Sequence, residues 1–256
     1  MGPKRINKTR RDFLKKSAAL AGTILATSAL KPFSAIIFAA NEPEDSTKPW
    51  YGIGIDIEKC IGCGMCAKSC KLENNVPMEP FYFRSWVEQY TIKSDGSIHV
   101  ESPNGGIDGF KQSSVDDEIF KTFFVPKMCN HCAKSPCTQV CPVGATFESP
   151  EGISLVDDKY CIGCRYCIQA CPYGCRYIHP EKKTVDKCTL CYHRITKGLK
   201  PACFENCPTG ARIYGDLNDK EGELYIFLKE HNCQVLKPNL NTSSKLYYNG
   251  LSSEVR

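Results

Sequence analysis

The chain has 256 residues, 42% hydrophobic and 24% charged, which places it among globular proteins and excludes a disordered or fibrous chain. The formal net charge is +5, but residues 1–40 hold eight Lys or Arg against one Asp, so residues 41–256 come to −2. Overall charge therefore lends no support to nucleic-acid binding.

The first element is a leader. Arg10-Arg11-Asp12-Phe13-Leu14-Lys15 follows Thr9 and precedes an uncharged stretch over residues 17–30. A basic region ahead of a short apolar one is a signal-peptide layout, and the paired arginines resemble a twin-arginine leader. Residues 1–40 are read as that signal peptide, with Ala39 or Ala40 before the cleavage point. Lys31-Pro32 interrupts the apolar stretch and argues against a regular spanning helix over 18–40. The alternatives are an uncleaved anchor or an arginine pair before an ordinary helix. A twin-arginine leader implies a periplasmic protein exported already folded.

The rest of the chain is organised by cysteine, of which there are eighteen. Residues 52–57 alternate as a strand leading into Cys60, Cys63, Cys66 and Cys70. Residues 83–93 and 98–101, joined by Asp95-Gly96, read as a hairpin. Residues 102–118 read as an exposed loop, and 120–125 as another strand. The second group is Cys129, Cys132, Cys137 and Cys141. A strand over 152–156 leads into the third, Cys161, Cys164, Cys167 and Cys171. The fourth is Cys188, Cys191, Cys203 and Cys207, and a helix is expected over 225–231. Short helices are expected after each group.

Each group begins C-x2-C and ends C-x3-C; the middle gap is two, four, two or eleven residues. The flanks repeat as well: CPVGA at 141–145, CPYGC at 171–175 and CPTGA at 207–211. This is one unit used several times.

Disulfides are the default for a Cys-rich exported chain, but scaffolds of that kind spread their cysteines to close loops. Zinc favours paired C-x2-C with a longer gap, which the fourth group alone could mimic. The run C-x2-C-x2-C-x3-C-P is the bacterial ferredoxin pattern, in which three thiolates hold one [4Fe–4S] cube and the fourth ligates another. On this spacing Cys171 belongs to a different cube from Cys161, Cys164 and Cys167.

The sixteen-cysteine pattern resembles the four-cluster iron–sulfur subunits of molybdopterin oxidoreductases in the dimethyl sulfoxide reductase superfamily. The nearest resemblance is to the exported type found with polysulfide, thiosulfate and tetrathionate reductases and in the formate-dependent nitrite reductase system. It covers residues 50–250. It implies four [4Fe–4S] clusters with these ligands: Cys60, Cys63, Cys66 and Cys207; Cys188, Cys191, Cys203 and Cys70; Cys129, Cys132, Cys137 and Cys171; Cys161, Cys164, Cys167 and Cys141. Cys70 departs from the pattern in being followed by Lys71 rather than proline.

The implied fold is α+β, with two double-cubane ferredoxin-like units. The outer unit takes residues 41–80 and 182–256, the inner unit 126–181, and a hairpin region over 81–125 is inserted. The implied function is electron transfer without catalysis on this chain. Its partners would be a molybdopterin catalytic subunit and a polytopic quinone-reactive membrane subunit; no nucleic acid and no small-molecule substrate is expected. A relay for another exported complex and a structural zinc scaffold are the alternatives.

Cys175 stands where two repeats have alanine and reads as a small buried thiol; Cys233 has no partner pattern. His131 and His193 flank ligand positions and read as hydrogen-bonding or surface residues. Tyr82, Phe83, Trp86 and Tyr90 read as packing residues, and Tyr160, Tyr166 and Tyr173 as shields of a cube against water. Gly52 and Gly54 lack the third glycine and helix of a dinucleotide site.

Overall fold

The computed structural model describes residues 48–111 and 119–255. The leader and residues 112–118 of the loop lie outside the described residues. Residues 41–256 group as one compact unit.

Strand β1 (Tyr51–Asp56) is the centre of a three-stranded sheet. It pairs antiparallel with β9 (Arg212–Asp216) and parallel with β10 (Leu246–Asn249), so Ile53 lies opposite both Tyr214 and Leu246. Ile53 and Ile55 are buried, as the alternation requires. A Cβ on Gly54 would lie 2.8 Å from the Phe227 ring, and one on Gly215 2.9 Å from Leu224. Both Phe227 and Leu224 belong to helix α6 (Glu223–Glu230), which packs on the sheet. Gly54 of β1 and Gly215 of β9 therefore make a flat seat for the helix.

The second sheet has the order β3-β2-β4, all antiparallel: β2 (Ser85–Lys93), β3 (Ile98–Glu101) and β4 (Ile119–Met128). Gly96, at φ +81°, and Asp95, whose carboxylate accepts the Ser97 N–H at 2.8 Å, turn β2 into β3. Strand β4 runs to Met128, three residues past the expected end, because Val125, Pro126, Lys127 and Met128 find partners on β2. Two small hairpins follow, β5 (Thr146–Glu148) with β6 (Ser154–Val156), and β7 (Arg176–Ile178) with β8 (Val185–Lys187).

The short helices lie inside the C-x3-C spans, not after them. They are α1 (Met65–Glu73), α2 (Pro136–Gln139), α3 (Tyr166–Gln169) and α5 (Ala202–Glu205); α4 (Tyr192–Ile195) follows Cys191. The correction has a simple cause. A C-x3-C spacing is one helical turn, so the third cysteine of each group starts a turn that reaches the fourth. Proline after Cys141, Cys171 and Cys207 pushes each of those cysteines out of the helical region and stops the helix before it. Lys71 lacks that effect, and α1 alone runs on past its Cys70 for three residues.

Each Cys-Pro then forms the same turn. The N–H of Gly144, Gly174 and Gly210 donates to the carbonyl of Cys141, Cys171 and Cys207 at 3.3, 3.4 and 3.3 Å. All three glycines sit at φ +64°, the left-handed region that glycine occupies without strain. A strand begins two residues later in every case.

Helix α1 packs on α5, and α2 on α3. Groups one and four are thereby neighbours, as are groups two and three. One hydrophobic core joins them, containing Ile55, Cys66, Val125, Cys129, Cys188 and Cys203; a smaller cluster holds Cys137, Cys167 and Val185. Among the described residues no helix is long and apolar enough to cross a membrane.

Replacing Gly54 by Val should overpack the α6 seat. We expect a loss of about 1–3 kcal/mol, read as a lower melting temperature at unchanged iron content. An unchanged melting temperature would contradict the packing described.

Candidate metal centres

All eighteen cysteines are free thiols, including Cys175 and Cys233. Eight of them line two cavities, and electrostatic and packing contacts bring others together. Cys60, Cys63, Cys66 and the remote Cys207 line one cavity, together with Arg212. Cys129, Cys132, Cys137 and the remote Cys171 line a second, together with Tyr173 and Arg176. Cys70 is buried within electrostatic reach of Cys203, Cys188 and Cys191. Cys161 lies near Cys167, and Cys141 ends the turn begun by α2, which packs on α3 and its Cys167. Cys164 is exposed at the surface.

Cys203 and Cys207, one helical turn apart, thus face different places, and so do Cys137 and Cys141. Among the described residues no three His, Cys, Asp or Glu side chains converge as the ligands of a single ion do. The thiols stand on the walls of a space, which is what a cubane with a metal at each alternate corner requires.

The places are linked in sequence. Cys66 of the first gathering is within electrostatic range of Cys203, Cys188 is within range of Cys129, and Cys137 packs against Cys167. Cys70, Cys188, Cys191 and Cys203 are buried, as are Cys129, Cys132 and Cys137. At the two ends, Cys63 and Cys164 are exposed, beside the exposed Ile61 and Ile162 of the repeated Cys-Ile-Gly-Cys.

Burial pushes the Cys60 thiol up to about 11 and the Cys132 and Cys188 thiols up to about 12. Metal binding must displace those protons. The structure supplies donors for the resulting thiolates. Backbone N–H groups of Thr146, Val185 and Leu190 point to Cys141, Cys161 and Cys188 at 3.5, 3.4 and 3.3 Å. The Cys175 side chain and the backbone N–H groups of Cys175 and Tyr173 hold the Cys171 thiol below its usual range.

Several residues around these sites carry no mark in the sequence reading. Asn74 Nδ2 lies 3.7 Å from Cys70 Sγ and 3.5 Å from Cys191 Sγ, and Arg84 fixes that amide by donating to its oxygen at 3.0 Å. Arg84 is itself paired with Asp186 at 2.7 Å. Arg176 Nη2 donates to Cys137 Sγ at 2.9 Å, and Arg212 Nη1 lies 3.8 Å from Cys203 Sγ. A usable signal existed: an arginine follows Cys-Pro-x-Gly by two residues in two of three repeats.

Other expectations divide. Tyr173 lines the second cavity and its hydroxyl meets Thr242 Oγ1 at 2.6 Å. Tyr160 and Tyr166 are exposed; Tyr166 opens α3 with the buried Cys167 behind it. Trp86 and Tyr90 both donate to Glu88, which also pairs with Lys127, so this cluster packs. His193 is an exposed partner of Glu73 at 2.7 Å. His131 is neither at the surface nor hydrogen-bonded: it is buried, and its ring nitrogens have no partner among the described residues. Cys175 donates to the Met128 carbonyl at 3.1 Å, the role of a buried thiol.

The sequence matches two family models, both described as a 4Fe-4S dicluster domain, over residues 59–145 and 120–217. A tetrathionate reductase subunit of Salmonella typhimurium (strain LT2) is 39% identical over 249 residues, covering 96% of this chain and 90% of the relative. The corresponding tetrathionate reductase subunit of Archaeoglobus fulgidus is 44% identical, covering 79% and 83%. ArrB, the arsenate respiratory reductase iron-sulfur subunit of Shewanella sp. (strain ANA-3), is 30% identical, covering 77% and 94%. Two dicluster domains give four clusters, and the chain carries four [4Fe–4S] clusters. The thiol-lined cavities and the N–H groups and cations facing their sulfurs fit such groups.

Cys175→Ala should keep the full iron content and lower stability by about 1 kcal/mol, the loss of one hydrogen bond to a buried carbonyl. Iron and acid-labile sulfide assays check this; a loss of about four irons would make Cys175 a ligand.

Proposed function

The chain belongs to the family of four-cluster iron–sulfur subunits of reductase complexes, and on that premise we propose that it relays single electrons through its clusters between two partner subunits. The clusters supply the one-electron carriers. The chain's own residues set their spacing and surroundings.

One observation carries the proposal. Remote cysteines share a cavity: Cys207 with Cys60, Cys63 and Cys66, and Cys171 with Cys129, Cys132 and Cys137. This supports the four ligand sets. One set takes Cys60, Cys63, Cys66 and Cys207, and the next Cys188, Cys191, Cys203 and Cys70. The third takes Cys129, Cys132, Cys137 and Cys171, and the last Cys161, Cys164, Cys167 and Cys141. The packing of α1 on α5 and of α2 on α3 supports an outer and an inner double-cubane unit. The proximities of Cys66 to Cys203, Cys188 to Cys129 and Cys137 to Cys167 support a single file in that order.

The file has a buried middle and two ends near the surface, the arrangement a relay needs. At the ends, the exposed Cys63 and Cys164 bring their clusters within reach of partners, and Ile61 and Ile162 offer apolar contact. By family, one partner is a molybdopterin catalytic subunit and the other a polytopic quinone-reactive membrane subunit. Tetrathionate, the substrate named for two relatives, is the oxyanion to test first. The twin-arginine leader puts the chain in the periplasm, held at the membrane by its complex.

Iron, zinc and acid-labile sulfide measured on chain purified without oxygen test the reading. About sixteen irons with matching sulfide are expected. Zinc without sulfide would overturn the relay in favour of a scaffold. Chelation of the iron should unfold the chain, seen as loss of far-UV circular dichroism, because the metal ties segments that the small sheets alone do not hold.

A further inference from the structure

Arg176 and Arg212 occupy the same place in two copies of one repeat. Each stands two residues after a Cys-Pro-x-Gly turn, at the first position of a strand. Both are buried. The third copy has Thr146 there, and Thr146 Oγ1 accepts from Arg176 Nη1 at 3.2 Å. The chain thus has one such arginine for each pair of packed cysteine groups.

Their surroundings correspond. Arg176 lines the cavity of Cys129, Cys132, Cys137 and Cys171, and donates to Cys137 at 2.9 Å. It also reaches Cys167, which belongs to the neighbouring gathering. Arg212 lines the cavity of Cys60, Cys63, Cys66 and Cys207 and lies 3.8 Å from Cys203 of the next. Its remaining contacts are neutral: Ser85 Oγ at 2.8 Å, Met128 Sδ at 3.2 Å and the Phe204 ring at 5.9 Å. Neither guanidinium has a carboxylate partner at these contacts. A buried cation without a carboxylate needs anionic neighbours, and the thiolates facing it are those neighbours.

We propose that Arg176 and Arg212 are equivalent potential-setting residues, each a permanent positive charge shared between the two clusters of one pair. The inference rests on the four ligand sets proposed above. A fixed cation favours the state with the extra electron, so each arginine raises the potentials of both its clusters. Arginine serves because it stays protonated when buried, and a lysine held among the same thiolates keeps its charge as well.

The test is a redox titration followed by electron paramagnetic resonance on the full chain, with iron and sulfide counted first. Arg176→Gln should shift two of the four clusters to more negative potential and leave the other two in place. Arg212→Gln should shift the complementary two. Arg176→Lys and Arg212→Lys should restore most of each shift. Unmoved potentials in the Gln variants, or an equal shift of all four clusters, would overturn the inference. So would Lys and Gln variants that shift alike, or Lys variants that lose their clusters, since the role would then be structural. If a Gln variant sheds a cluster pair that its Lys counterpart keeps at native potential, the charge is required and the inference stands. Fewer than about sixteen irons in the unsubstituted chain would instead overturn the ligand sets.

Discussion

A thiolate away from water is unstable, and most of this fold follows from stabilising many of them at once. Burial drives Cys60, Cys132 and Cys188 towards the neutral thiol. Iron reverses that by replacing the proton, and the clusters that result are net anions inside the protein. The chain answers with N–H groups aimed at sulfur and with buried cations. Arg176 and Arg212 stand beside the cavities. Lys187 is buried near Cys188, and Lys245 near Cys129 and Cys132, donating to the carbonyls of Ser154 and Cys188 and of Gly152. An apolar core of the ordinary kind would not need four buried cations.

The second consequence is topological. A C-x3-C helix turn sends its two sulfurs to different sites, so in the proposed ligand sets each group depends on another far along the chain. Cys207 shares a cavity with the first three cysteines of group one, and Cys70 is buried within reach of Cys188, Cys191 and Cys203 of group four. This draws the start and end of the described chain together, where β1 lies between β9 and β10. The inner groups repeat the exchange over a shorter span. Cross-links of this kind would remove loop-closure entropy from the unfolded chain as disulfides do, with metal rather than sulfur closing the loops of the proposed sets.

The cysteine spacing, the leading strand into Cys60, the Asp95-Gly96 hairpin and helix α6 are legible in the sequence, because each carries its own local pattern. The short helices are not, because the C-x3-C spacing is at once a ligand pattern and a helical turn, and the first meaning hides the second. Strands β5, β7 and β8 are three residues each, too short for any periodicity to show. Strand β10 exists because β1 is there to pair with it, a long-range fact. Arg176 and Arg212 are visible as a repeat but look like ordinary surface arginines until burial is known.

The central claim is that remote cysteines complete each other's clusters in a single file. The most direct measurement is an iron-edge anomalous difference map from crystals grown without oxygen. Four separate iron sites should appear in line, with Cys207 completing the site of Cys60, Cys63 and Cys66, and Cys171 completing that of Cys129, Cys132 and Cys137. Iron held by Cys161, Cys164, Cys167 and Cys171 together, each group closing on itself, would contradict the account.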